Sequence, residues 1–173
     1  MPFDVQPCLK GELVELRPLR AEDHADLYAV AADPLVWEQH PDPERYQESA
    51  FSGFFRDALE SGGALAVIDN EDGRLIGSSR YHGYDEERDE VEIGWSFLAR
   101  SHWGGVYNGE MKRLMLGHAS RFVRSVIFVI GPHNYRSQRA VEKIGAVRDG
   151  TREDGTGEKV VYRIEAAGFD GRE

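Results

Sequence analysis

The sequence predicts an α/β fold: a mixed, mostly antiparallel sheet with helices on both faces. Three observations carry that prediction. Val126-Ile127-Phe128-Val129-Ile130 is an apolar, β-branched run bounded by Gly131-Pro132. It is too short for a free-standing helix and reads as a strand buried on both faces. Glu90–Phe97 alternates, with Val91, Ile93, Trp95 and Phe97 on one side, as a half-buried strand does. Between the two, Met111, Leu114, Met115, His118, Ala119 and Phe122 recur at three- and four-residue spacing, which predicts a helix starting near Asn108. Strand, tight turn, helix and buried strand make a βαβ unit with a right-handed crossover, so these two strands are the parallel pair.

The remaining elements fall around that unit. Leu13–Arg17 reads as a first strand ended by Pro18. Glu22-Asp23 opens a helix that stops near Asp33-Pro34. A second helix is expected to start at Pro41-Asp42-Pro43. Its wide apolar face runs from Tyr46 through Phe51, Phe54 and Phe55 to Leu59, and Ser61-Gly62-Gly63 ends it. Ala64–Asp69 and Leu75–Tyr81 form a hairpin around Asp72-Gly73. The acidic run from Asp85 to Glu90 reads as a solvated turn or as a cation-attracting mouth. Asn134 caps a helix running to Ile144, with Ser137 in its first turn. Ala146–Asp149 and Lys159–Ile164 close the sheet, and Ala166–Glu173 carries little pattern. No repeat or linker interrupts the chain, so residues 1–173 are expected to be one domain.

Composition narrows the partners. A net charge of −10 argues against a general nucleic-acid or anionic-membrane binder and is compatible with a cationic partner. The single cysteine, Cys8, excludes an internal disulfide and fits a reducing compartment. No run approaches the roughly 20 apolar residues a membrane-spanning helix needs, and Met1-Pro2-Phe3-Asp4 lacks a basic n-region, so a cytoplasmic protein is expected. The histidines and Cys8 show no metal-ligand spacing, and no metal is expected. The turn before the Asn108 helix aims backbone N–H groups from the positive end of a helix, a ready site for phosphate or pyrophosphate.

The stretch Arg100–Gly145 resembles the acetyl-CoA-binding core of the GNAT acetyltransferase superfamily, in particular its RimJ/RimL-like branch. The residues that carry the resemblance are Glu92-Ile93-Gly94, Trp103-Gly104, Asn108, Glu110 and Lys112, Asn134 and Ser137, and Glu142-Lys143 with Gly145. Weaker similarity runs from Leu16-Arg17-Pro18-Leu19 to Val160-Val161-Tyr162. Two positions depart from the family pattern. Val106 stands where a glycine normally lets the backbone approach the pyrophosphate, which leaves Gly104 and Gly105 to supply that freedom. Val141 stands where many members carry a tyrosine that protonates the leaving thiolate.

The resemblance implies that the parallel strands splay apart, with acetyl-CoA as cosubstrate in the gap. Its pyrophosphate would lie along Trp103, Gly104, Gly105, Val106, Tyr107 and Asn108, with Arg100, Arg136 and Arg139 pairing phosphates; solvated surface charge is the plain alternative for each. A backbone N–H near Phe97 or Leu98 would polarise the thioester carbonyl. Asn134 would meet the pantetheine amide. Ser137 would lie near the sulfur and donate to the thiolate, unless it serves only the helix N-terminus and the proton comes from water. Glu92 is the expected general base, acting through water, against the plainer role of a carboxylate on an open sheet face. His82 and Asp154 are reserves. Trp37, His40 and Tyr46 would reach the acceptor, or else Trp37 and Tyr46 simply pack. The activity implied is acetyl transfer to a primary amine, a protein N-terminus or a small molecule, in a ternary complex. The alternative is a non-catalytic acyl-CoA-binding or regulatory protein, and a homodimer is compatible with either.

Overall fold

Eight strands form one sheet in the computed structural model of the chain, which describes residues 3–153, 155 and 157–165. In chain order the elements are β1 (Leu9–Lys10), β2 (Val14–Pro18), α1 (His24–Ala31), α2 (Glu48–Ser61), β3 (Ala64–Asp69), β4 (Leu75–Asp85), β5 (Glu90–Leu98), α3 (Val106–Ala119), β6 (Ser125–Ile130), α4 (Tyr135–Lys143), β7 (Val147–Glu153) and β8 (Glu158–Glu165). The spatial order is β1-β2-β3-β4-β5-β6-β8-β7. Every pairing is antiparallel except β5 with β6. This is the expected mixed sheet. No helix among the described residues is long and apolar enough to cross a membrane.

The sheet buries both faces because its strands are apolar on both. One core holds Leu65, Val67, Val91 and Ile93 against Met111, Met115 and Leu116 of α3 and Val141 of α4. The other holds Ala64, Ala66 and Phe97 against Leu27 of α1 and Phe51, Phe54 and Phe55 of α2. On α3, Glu110 ties the helix to the β1–β2 turn, its carboxylate accepting from the backbone N–H groups of Glu12, Leu13 and Val14 at 2.6–3.2 Å. His118 is a core histidine, with Nε2 2.7 Å from the Asp4 carbonyl.

The expected alternation of β5 breaks at Trp95. This residue has a φ of 53°, and the β4–β5 register slips between Ser78 and Arg80. The bulge puts one extra residue into β5 and inverts its phase. Val91 and Ile93 face the α3 core, whereas Trp95 and Phe97 pack with the α1–α2 core. Trp95 therefore lies on the side of Glu92, not opposite it. Beyond the bulge the parallel pair separates. Only Glu90, Val91 and Glu92 are in register with β6, opposite Ser125, Val126 and Ile127.

Two helix starts differ from expectation. α3 begins at Val106, two residues early, because Gly105 takes the left-handed conformation at its N-cap. α2 begins at Glu48, because Asp42–Gln47 makes turns, including Gln47 N–H to the Glu44 carbonyl at 3.0 Å. Tyr46 thus precedes the helix. β4 continues through His82 to Asp85, past the expected end at Tyr81, and the acidic residues Glu86–Asp89 form the turn to β5. Asp154 and Ala166–Glu173 lie outside the described residues.

Candidate active site

A cleft of about 490 Å³ opens where β5 and β6 part. Its inner wall is Ser96, Phe97 and Leu98 of β5. Opposite them stand Asn134, Ser137 and Ala140 of α4 and its N-terminus. Asn134 is the N-cap, its Oδ1 accepting from the Ser137 N–H at 3.4 Å, so one residue both starts the helix and lines the cleft.

The floor is the turn Trp103–Gly105 with Asn108. Gly104 and Gly105 have φ values of 123° and 101°, a region where a β-branched residue is strained. A side chain on Gly105 would stand 3.6 Å from the Lys143 ammonium. Val106 does not need a positive φ: it is the first residue of α3, helical and 65% exposed. The two glycines before it take the strained conformations that the sequence left to them. The Trp103 indole N–H donates to the Leu98 carbonyl at 2.9 Å, fixing the turn to the end of β5.

The cleft is cationic in an acidic protein. Arg136, Arg139 and Lys143 project from one side of α4 into it, and the Arg136 guanidinium lies 4.2 Å over the Trp103 ring. Together with the N-terminus of the fourteen-residue α3, they build an anion site from side chains, backbone donors and a helix dipole.

The outer wall is the segment from Val36 to His40. It is held from several directions. The Trp37 indole N–H donates to the Ala31 carbonyl at 2.8 Å, and the Gln39 carboxamide accepts from the Arg136 N–H at 3.0 Å. Pro41 presses so closely on Gly131 that a Cβ there would meet it at 2.5 Å. Tyr46 is tied back through its carbonyl, which accepts from the Tyr28 hydroxyl at 2.9 Å. Burial, reinforced by the nearby Arg45, pushes His40 down to about 4, so its imidazole is neutral at physiological pH. Its Nδ1 accepts from the Asp42 N–H at 2.9 Å, which leaves Nε2 carrying the proton.

Of the residues expected at the site, the structure brings Trp37, Phe97, Leu98, Trp103, Gly104, Gly105, Asn108, Asn134 and Ser137 to this cleft. It does not bring Arg100, which pairs with Asp33 beside a neighbouring hollow. Val106 points to solvent. Tyr107 packs its ring 4.7 Å from His102, whose Nε2 is 2.8 Å from Asp69. Tyr46 is also outside the lining, and Val141 is buried in the α3 core. Glu92 and His82 are outside the lining as well and stand nearer the fork of the strands: Glu92 is the last residue of β5 in register with β6, and the His82 Nδ1 is 3.6 Å from its carboxylate. Burial and the nearby Arg80 hold His82 below its ordinary value. Sequence reasoning missed Gln39, Ser96 and the phosphate-facing potential of Lys143. The spacing of Arg136, Arg139 and Lys143 at three and four residues was the available signal for the last.

Residues 14–147 match the family model of the acetyltransferase (GNAT) domain, so the chain belongs to that family. Among solved structures it is similar to a GCN5-related N-acetyltransferase from Brucella melitensis, at 18% identity over 96% of this chain and 81% of that one, with a TM-score of 0.84. It is also similar to a GNAT-family acetyltransferase from Bacillus anthracis (21% identity, 93% and 99% covered, TM-score 0.75). A third is spermidine N-acetyltransferase from Vibrio cholerae in complex with CoA and spermine (12% identity, 92% and 99% covered, TM-score 0.70). At these identities the likeness is one of fold. No curated protein matches the sequence.

Proposed function

We propose that this chain is an acetyl-CoA-dependent N-acetyltransferase of the RimJ/RimL-like branch, transferring an acetyl group directly to a primary amine in a ternary complex. The observation that carries the reading is the cationic cleft at the strand fork, with Gly104-Gly105 and the start of α3 on its floor and Lys143 above. Its residues fit a pyrophosphate: a turn whose two glycines take positive φ ahead of a helix N-terminus, and three cations on one helix face.

Acetyl-CoA, when bound, supplies the thioester acetyl group and a thiolate leaving group. This chain's residues do the rest. The backbone at Phe97–Leu98, on the inner wall, is the donor segment for the carbonyl oxygen. Glu92, its side chain 14% exposed at the fork, takes the proton of the incoming ammonium through water. His82 beside it, biased to the neutral form, is a second acceptor on the same route. Ser137 is the α4 hydroxyl that lines the cleft and donates to the departing sulfur; Val141, in the core, cannot. The fastened segment from Val36 to His40 walls the acceptor side, and such closure favours a small amine over a protein terminus.

The test is acetyl-CoA-dependent thiol release across a panel of primary amines, in the wild type and in Glu92→Gln. Turnover by the wild type is expected, with a fall of at least tenfold in the variant near pH 7 that narrows as pH rises and free amine appears. Equal rates at every pH would remove Glu92 as base. Absence of turnover, with acetyl-CoA still bound, would leave the non-catalytic acyl-CoA-binding reading, which the buried Val141 favours.

A further inference from the structure

The side of the sheet that carries Glu92 and Trp95 also carries two guanidiniums that the proposed chemistry does not use. Arg80 of β4 is 6% exposed. Its guanidinium lies 4.3 Å from the Trp95 ring centre and 5.7 Å from that of Phe54. Its Nε has no hydrogen-bond partner, and among the described residues no carboxylate pairs with it. Arg45 approaches the same Phe54 ring at 4.5 Å and Trp37 at 5.3 Å. It bonds Asp42 through Nη2 at 3.1 Å, and its Nε too is without a partner. Two like charges thus converge on one aromatic ring while only one makes an ion pair. Burial and the nearby Arg45 push Arg80 down to about 10, against the carboxylates of Asp57 and Glu92, which act on it from beyond ion-pair distance and raise it.

A buried guanidinium that makes no ion pair and leaves an N–H unsatisfied is costly, so a carboxylate brought to contact distance would supply what Asp57 and Glu92 do not supply from farther off. The place of that charge follows from the bulge. Trp95, under Arg80, immediately precedes Ser96 and Phe97 of the cleft's inner wall, and Phe54 packs on Phe97 with ring centres 6.0 Å apart. Along the sheet, Arg80 is opposite Gly94 and His82 opposite Glu92, so the backbone position of Arg80 is two residues, about 7 Å, along the strand from the position facing the proposed base. One small molecule spans that interval with an amine at one end and an anion at the other. The Arg80 guanidinium lies beside the Trp95 and Phe54 rings and makes no ion pair. A planar monoanion, met by the guanidinium fork, fits both facts.

Building on the acetyltransferase reading, we propose that the acceptor is an amine that also carries a carboxylate, an amino acid rather than a polyamine, and that Arg80, with Arg45 beside it, holds that carboxylate. Arg80 is then a specificity-determining residue that leaves the acetyl-CoA site alone.

The test is equilibrium binding and does not depend on turnover. N-acetyl derivatives of the common amino acids are titrated calorimetrically against their N-acetyl carboxamides, in wild type and in Arg80→Gln, with acetyl-CoA-induced thermal stabilisation as the control for the intact cofactor site. The expected result is at least one acid bound tenfold or more tightly than its amide, a preference that Arg80→Gln abolishes while the acetyl-CoA shift persists. Equal binding of acids and amides by the wild type overturns the inference, as does binding of none of them while acetyl-CoA still stabilises the fold. Loss of acetyl-CoA stabilisation in the wild type would instead overturn the acetyltransferase reading. The wild-type comparison decides the matter even if the variant fails to fold.

Discussion

The cleft and the acceptor side beside it hold positive charge in opposite ways. On the α4 side Arg139 and Lys143 are exposed and Arg136 half-buried, above a floor of glycine backbone. On the acceptor side Arg45 and Arg80 are packed between aromatic rings, with little water around them. Hydrated cations attract a large anion from a distance and are screened by salt. Desolvated ones discriminate at contact range, because an unmatched ligand leaves them unpaired. On the proposed function, generic phosphate capture falls to the cleft cations and choice of acceptor to the desolvated pair.

The largest effect is expected from Gly105→Val. A β-branched residue at a φ of 101° costs roughly 1–3 kcal/mol, and the side chain would crowd the Lys143 ammonium. Acetyl-CoA affinity should drop at least a hundredfold by calorimetry, with binding of acids on the acceptor side unchanged. A variant that binds acetyl-CoA normally would dissolve the division between the walls.

A smaller effect sharpens the same division through pH. His40 on the acceptor wall has a folded-state value of about 4, below the ordinary 6.5, with burial the main cause and Arg45 the second. A depressed value means that the unfolded chain binds the proton first. The stability His40 contributes is therefore complete above pH 6.5 and is lost as pH falls towards 4. The unfolding free energy of the wild type should decline over that window by on the order of 2 kcal/mol more than that of His40→Gln, as chemical denaturation would show. Parallel curves would mean that the imidazole is solvated and the wall open.

The α4 wall was also the more legible in the sequence. Asn134 three residues before Ser137, the apolar run of β6 bounded by Gly131-Pro132, and the small-residue turn before α3 are local signals, set by neighbours in the chain. β3 falls on its expected residues, Ala64–Asp69, for the same reason. The acceptor wall is set by tertiary contacts. Nothing local marks Trp95 as left-handed: the apolar alternation reads straight through it, and only the slip against β4 reveals the bulge. Pro41-Asp42-Pro43 looks like a helix start, yet the chain must turn there to pack Pro41 on Gly131 and Arg45 on Phe54. Arg80 and Arg45, 35 residues apart, meet only because β4 and the approach to α2 share one face. The βαβ unit and its glycine turn could be read from the chain; the packing that brings Arg45 and Arg80 together could not.

The central claim is that the cleft between α3 and α4 holds acetyl-CoA, and a calorimetric titration of the wild type and of Lys143→Gln tests it most directly. The account predicts micromolar binding by the wild type. In Lys143→Gln it predicts affinity about tenfold lower, equivalent to about 1.4 kcal/mol, with the wild type losing more affinity than the variant as salt is raised. No binding at millimolar acetyl-CoA, or identical affinities and salt responses in the two proteins, would contradict it.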